Sequence, residues 1–204
     1  MRRRYSRLAI EFSHDWPDDV NVGSTVQLSN GVSVLYASDF PTALRLLPPG
    51  SEVTVVASGT VGDKTVRRIS AAIRECSALV SLDLSAVTEC SHVSGTPFAG
   101  NRQLAAIHFP GNLASISPGA FMDCTSLMSV TIPGSVQEIG MTAFSGCTRL
   151  YHLAFDDPAG WQCAGADVTD LAYPAENPLK FVRADGAYHS AVLTKARLCA
   201  TMGV

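Results

Sequence analysis

Apolar positions recur through the middle of this chain at one fixed interval. The step from Phe98 to Phe121 is the step from Phe121 to Phe144, and Leu104, Leu127 and Leu150 keep it, as do Ile107, Val130 and Leu153, then Phe109, Ile132 and Phe155. Cys124 and Cys147 obey the same interval, with Asn101 in the equivalent place one unit earlier, and Pro110/Pro133, Leu113/Val136 and Ile116/Ile139 fall in register. A period in the twenties marks a repeat architecture, in which each unit buries its apolar side only against its neighbours. Within a unit, Leu127, Val130 and Ile132 are predicted to point inward while Met128, Ser129 and Thr131 point outward along a strand. The corresponding outward sets are Val80, Ser81 and Asp83; Ala105, Ala106 and His108; and Tyr151, His152 and Ala154.

Ahead of the repeat, residues 1–37 read as short strands. Leu8, Ile10 and Phe12 alternate with polar neighbours, and the runs beginning at Val26 and Val32 meet across Asn30-Gly31, a strong hairpin signal because both turn positions need positive φ. Ser38-Asp39 followed by Pro41 predicts a short helix through Leu47, stopped by Pro48-Pro49-Gly50. Val53–Val56 reads as a strand, and Lys64–Glu75 as a helix with Asp63 at its N-cap and Val66, Ile69, Ile73 and Cys76 on one face. Ser81–Ser85 supplies the next strand, with Leu82 and Leu84 inward. Here Cys76, Leu79 and Leu82 precede Asn101, Leu104 and Ile107 by an interval longer by two than the later one, so Cys90–Gly95 reads as an insertion, either a plain loop or a break in the sheet. After Phe155 the pattern stops. Trp161 is the expected lid on the last open unit, since a large aromatic covers much apolar surface. Ala191–Val204 shows no firm periodicity and is not placed. Three segments result: 1–50, a β-rich N-terminal cap with a short helix; 51–156, the repeat; and 157–204, a C-terminal cap and tail.

The stretch LASISPGAFMDCTSLMSVTIPGSVQEIGMTAFSGCTRL resembles the BspA-like, or treponemal-type, leucine-rich repeats, whose unit reads roughly L-x-x-I-x-I-P-x-x-V-x-x-I-G-x-x-A-F-x-x-C-x-x. The string VTVVASGTVGDKTVRRISAAIRECSALVSLDLS resembles the segment that precedes such repeats, and Asp156–Trp161, then more loosely Tyr173–Tyr188, their closing segment. The resemblance implies an α/β fold: a right-handed solenoid with a parallel sheet along its concave side. It also implies an interaction protein without enzymatic activity, often displayed on cell surfaces, with a host or cell-surface component as partner. About five to six rungs stacked at roughly 4.8 Å give a concave strip about 25 Å long. One true α-helix is expected in an early rung, and the N-terminal strands are expected to cap the first sheet edge.

With 204 residues, 47% of them hydrophobic, the chain has the material for a substantial core. Lys+Arg 15 against Asp+Glu 18 gives a net charge of −3, with no basic stripe, so nucleic acid is not an expected partner. No apolar run approaches the ~18 residues of a membrane span. Arg2-Arg3-Arg4 imitate the opening of a secretory signal, but only Leu8-Ala9-Ile10 precede Glu11, short of the roughly 7 residues such a signal needs. No export signal is read. The compartment stays open: cell-surface or periplasmic if a signal has been removed, otherwise cytoplasmic.

Candidate chemistry is sparse. Cysteines at 76, 90, 124, 147, 163 and 199 form no C-x-x-C pair, which indicates neither zinc nor a redox motif. Cys76, Cys124 and Cys147 share a column that asks for a small buried group near backbone amides. Adjacent rungs put Cys124 and Cys147 about 5 Å apart at Cα, within disulfide reach, but parallel side chains favour free thiols. A disulfide among Cys90, Cys163 and Cys199 stays open. His108 and His152 face the strip two rungs apart, about 10 Å, too far to share a metal without a third ligand. His14 with Asp15, Asp18 and Asp19 around Trp16-Pro17 reads as a polar turn. No G-x-S-x-G, Walker loop or helix-opening G-x-G-x-x-G is present, so no catalytic residue, metal or cofactor is expected.

The leading expectation is a non-catalytic scaffold that binds a protein through Val80, Asp83, Ala106, His108, Met128, Ser129, Thr131, Tyr151 and His152, with Val80, Met128 and Tyr151 as an apolar column. The alternative is a hydrophobic small ligand held in a gap where the irregular units of 50–95 meet the regular ones.

Overall fold

Alternating inward side chains from two sheets meet in one apolar core. The computed structural model describes residues 6–12, 25–28, 32–36 and 40–196, with side chains from 40 onward apart from position 43. The early elements are β1 (Ser6–Phe12), β2 (Thr25–Leu28), β3 (Val32–Tyr36), α1 (Phe40–Arg45), β4 (Glu52–Thr60), α2 (Asp63–Glu75) and β5 (Leu79–Thr88). The repeat continues with β6 (His92–Val93), β7 (Leu104–His108), β8 (Ser115–Ile116), β9 (Ser129–Ile132), β10 (Glu138–Ile139) and β11 (His152–Phe155). Last come β12 (Trp161–Cys163), β13 (Ala166–Val168), α3 (Asn177–Val182) and β14 (Leu193–Lys195).

The larger sheet runs β11-β9-β7-β5-β4-β1-β2-β3. From β11 to β1 every neighbouring pair is parallel, and β2 and β3 add antiparallel. The hairpin pairing of β2 with β3 is present, while its Asn30-Gly31 turn, the Ser38-Asp39 helix start, Arg2–Arg4, the His14–Asp19 cluster and Cys199 lie outside the described residues. The smaller sheet runs β13-β12-β14-β10-β8-β6. Its short strands β6, β8 and β10 are parallel and stand one repeat apart.

That second sheet corrects the reading of Cys90–Gly95 as an insertion. Val93 pairs with Ile116, which pairs with Ile139, and Cys90 keeps the regular repeat spacing to Leu113 and Val136; all are buried. The lengthening lies earlier, in the long β5, whose Ala86–Thr88 pair with Ser58–Thr60 of the similarly long β4. The span Ala191–Val204, unplaced from sequence, contributes β14, which runs antiparallel between β10 and β12 and buries Leu193.

Helix α2 begins one residue before the expected start. Gly62 is its N-cap, with no side-chain cap, and Asp63 lies in the first turn, where a carboxylate complements the helix dipole. Its buried face is Thr65, Val66, Ile69, Ser70, Ala72 and Ile73. Helix α1 ends at Arg45 rather than Leu47 because Leu47 N–H bonds to the Leu44 carbonyl, three residues back, in a tightened last turn.

The phenylalanines form a stack: Phe98 and Phe121 have ring centroids 5.2 Å apart at 5°, and Phe121 and Phe144 5.5 Å apart at 8°. The column is closed by Phe181 of α3, edge-on to Phe144 at 6.3 Å. Trp161 is fully buried and lies edge-on to Phe155 of the last repeat strand at 5.6 Å, its indole N–H donating to the Asp157 carbonyl. The backbone of β11 finds partners outside the sheet: Leu153 N–H donates to Pro174 O, and Asn177 Nδ2 donates to Leu153 O. This covers a sheet edge that would otherwise offer unpaired groups.

Candidate functional site

Strict alternation in β4 and β5 decides which groups face outward. Val53, Val55 and Ala57 are buried while Thr54, Val56 and Ser58 are partly exposed; Val80, Leu82 and Leu84 are buried while Leu79, Ser81 and Asp83 are partly exposed. Val80, expected on the outward face, is therefore in the core at 0% exposure. Spacing had aligned Leu79 with Leu104, yet the strand pairs Val80 with Leu104 and Ser81 with Ala106, leaving Ala105 as an extra, bulged residue in β7. Once Leu82 and Leu84 point inward, the alternation of side chains along a strand sends Val80 inward too.

The remaining expected residues do lie at the surface to differing degrees. Ala106, Met128, Ser129, Asp83 and His152 are half-buried, and His108, Thr131 and Tyr151 are exposed, Tyr151 at 65%. Backbone bonds align part of them: Met128 N–H donates to Ala105 O and Tyr151 N–H to Met128 O. The aligned row thus reads Ala105, Met128, Tyr151, with Ala105 itself buried at 5% exposure. Beside it Ser129 Oγ lies 3.3 Å from His152 Nδ1, and Asp83 Oδ1 accepts the Ser85 N–H at 2.9 Å. Across β4, β5, β7, β9 and β11 the only Asp, Glu, Lys or Arg residues are Glu52 and Asp83. A hollow of about 140 Å³ opens in this face, lined in part by Glu52, Thr54, Leu79, Ser81, Ala105 and Met128.

The columns beneath hold the strands in place. Cys124 Sγ donates to Phe98 O and Cys147 Sγ to Phe121 O, each at 3.0 Å, so each thiol ties its rung to the one before. Asn101 in the same column donates to Ser70 O at 3.1 Å, reaching the helix that replaces a turn there. Cys76, Cys90, Cys124, Cys147 and Cys163 are all free. The hydrogen bond with Cys124, then burial, drives the Cys147 thiol far above the ordinary thiol range. Burial, then Asp63, pushes Cys90 up to about 11. Such thiols stay protonated and are poor nucleophiles or metal ligands. Among the described residues no group of three His, Cys, Asp or Glu is placed to hold a metal.

The closing segment carries contacts that the sequence did not reveal. Asp170 receives the Tyr188 hydroxyl at 2.7 Å and pairs with Lys180 Nζ at 2.9 Å. Burial raises its carboxyl, but these bonds outweigh burial and hold it below the usual carboxylate value. Lys195 contacts Asp157 and lies 5.6 Å from the Trp161 ring centroid. Asn177-Pro178 at the start of α3 was the one readable signal, a Pro in the first helical turn.

A chain whose successive repeat units each lend a strand to one parallel sheet is a repeat protein. Residues 63–159 match the model of the BspA type leucine rich repeat region, in six copies. No curated protein matches the chain. The family points in general to protein interaction. Among the described residues no helix is long and apolar enough to cross a membrane.

Proposed function

We propose that this protein is a non-catalytic interaction scaffold that binds a protein partner, a host or cell-surface component among the candidates, on the outward face of the larger sheet. In this reading residues 51–156 coil as a right-handed solenoid of about five to six rungs with that face concave, while 1–50 and 157–204 cap its ends. One observation carries the proposal. The aligned row places Met128 and a 65%-exposed Tyr151 beside strands β4, β5, β7, β9 and β11, whose only charged residues are Glu52 and Asp83. Neither Met nor Tyr at these positions serves the core, and both residue types are enriched where interfaces are fully buried.

The double variant Met128→Asp/Tyr151→Asp tests it. Discrete protein captured from the native source by the wild-type chain is expected to be lost, with thermal stability nearly unchanged. Met141→Asp, a control at a residue 47% exposed elsewhere on the chain, is expected to capture normally. Undiminished capture by the double variant removes this face from the account.

A second reading, a small hydrophobic ligand at the junction of early and regular units, has one physical foothold. The hollow does lie there, between β4–β5 and β7–β9, but at about 140 Å³ it is well under the roughly 300 Å³ at which ordinary ligand pockets begin. The protein reading is preferred.

A further inference from the structure

We infer that Asp185-Gly186, in the turn that follows α3, is a site of spontaneous backbone isomerisation held in check by Arg183, and that its reaction loosens the closing segment from the last repeat unit.

The pair is a product of the fold. Gly186 lies against the end of α3, where an added Cβ meets Lys180 O at 2.5 Å and Leu179 O at 2.6 Å, both backbone atoms. Any side chain there forces the main chain apart, so close approach reserves the position for glycine. The residue before it is the exposed Asp185, and this is the one Asp-Gly step in the chain. With no side chain on Gly186, nothing shields its nitrogen from the neighbouring carboxyl group. In the reaction that nitrogen attacks Cγ of Asp185. An N–Cγ bond forms, a Cγ–O bond breaks, and the oxygen leaves as water with the amide proton. Water then adds to the cyclic imide. Opening at Cγ restores aspartate, while opening at the main-chain carbonyl of residue 185 leaves the peptide running through Cβ, as isoaspartate. The water lost in the first step returns in the second, and no oxidant or cofactor enters.

Two contacts slow the reaction in the folded chain. Arg183 grips Asp185 with its guanidinium fork, Nε to Oδ1 at 3.0 Å and Nη2 to Oδ2 at 3.1 Å. A bidentate pair fixes the plane of a carboxyl group as well as its position, which keeps this one on Arg183 and off the Gly186 nitrogen. The Gly186 N–H also donates to Arg183 O at 2.9 Å and must give up that bond before the nitrogen attacks. Both charged side chains are more than half exposed, so solvent keeps the grip modest.

The residues just beyond the pair give the reaction its consequence. Tyr188 N–H donates to Lys180 O at 2.9 Å, and the Tyr188 hydroxyl donates to Asp170 at 2.7 Å. His189 O accepts the Thr142 N–H at 2.8 Å, and His189 Nε2 lies 2.8 Å from Ser145 Oγ. Thr142 and Ser145 lie in the turn between β10 and β11, so the closing segment is pinned to the repeat directly after the place where isomerisation inserts a backbone atom. The longer chain cannot keep all these bonds in register, and the segment opens locally.

Ageing the full chain at neutral pH and physiological temperature tests this, for as long as the urea-unfolded chain takes to convert. Isoaspartate is mapped to the residue by mass spectrometry, so that product from Asn30-Gly31 is counted separately. Product at 185 is expected to form in the folded protein, about tenfold or more slowly than in the unfolded chain. Arg183→Gln is expected to speed it about twofold to fivefold with an unchanged melting temperature. Arg183→Lys is expected to speed it less, since an ammonium keeps the charge without the fork. Asp185→Glu, whose ring would be larger, is the control and is expected to give no product. Hydrogen exchange at the amides of Thr142 and Tyr188 is expected to quicken in the isomerised fraction alone. No product at 185 in the folded protein overturns the site. Equal rates in the folded and unfolded chain, or in wild type and Arg183→Gln, overturn the restraint by Arg183. Unchanged exchange in the isomerised fraction overturns the link to the closing segment. If Arg183→Gln melts lower, Arg183→Lys decides: a lysine variant as fast as the glutamine one overturns the role of the paired charge.

Discussion

The ring of Phe121 lies 5.2 Å from that of Phe98 and within 5° of parallel, although a full repeat of chain separates them. Phe144 repeats the contact on the other side, and Phe109 meets Phe121 edge-on at 5.8 Å. Phe121 is thus touched by aromatic rings from three directions. Phe121→Ala is expected to cost about 3–5 kcal/mol, read as a lower urea midpoint with an unchanged slope. A loss under about 1 kcal/mol would show that the column carries little of the packing energy.

Neighbouring rungs also approach closely at Gly140. A Cβ built there lies 2.3 Å from the backbone nitrogen of Pro118, an atom that cannot swing aside. Gly140→Ala is expected to destabilise by about 1–3 kcal/mol through forced backbone displacement. Gly111→Ala, where an added Cβ meets nothing within 4 Å, is the matched control and is expected to change stability little.

The thiols report burial directly. Cys76, Cys90, Cys124 and Cys147 are buried, and Cys163 is partly exposed. Maleimide labelling of the native protein at pH 8, mapped by mass spectrometry, is expected at Cys163 and not at these four, which label only on unfolding. The folded state holds the Cys90 proton more tightly than an unfolded thiol does, with a pKa near 11 against 9.0. Its contribution to stability is whole below about pH 9 and is lost as pH rises to about 11. Cys90→Ala is expected to flatten that part of the alkaline decline.

The closing segment should be sensitive to acid. Because Asp170 is held below its ordinary value, its ionised form stabilises the fold above the unfolded carboxylate pKa, and that support fades as pH falls through the lower folded value. Asp170→Asn removes the ion pair with Lys180 and weakens the bond from Tyr188. With Asp170 about half exposed, solvent screening limits the loss at pH 7 to about 1 kcal/mol. Denaturation of the variant is expected to show a shallower decline below about pH 4.

The repeat columns made the inward side chains of β7, β9 and β11 legible, because each rung repeats one environment and so one residue type. Where the environment changes, the sequence became ambiguous. In β5 the spacing argument and the alternation argument disagreed about Leu79 and Val80, and alternation won since a strand has only two faces. The short strands β6, β8 and β10 have too few positions to show alternation, so the second sheet was hidden behind columns that could be counted but not assigned. Phe181 and Asn177 lie outside the period, and their roles depend on how a non-repeating segment folds back onto the last rung. The outward face was readable in its residues from Ala106 to His152, but no spacing announces the bulge at Ala105.

The functional claim depends most on whether the row through Met128 and Tyr151 meets a protein. A photo-crosslinking amino acid placed at position 151, with one at position 141 as the control, measures this in the native source. A single discrete protein adduct from 151 and none from 141 is the predicted result. Equal adducts from both positions, or none from 151, would contradict it.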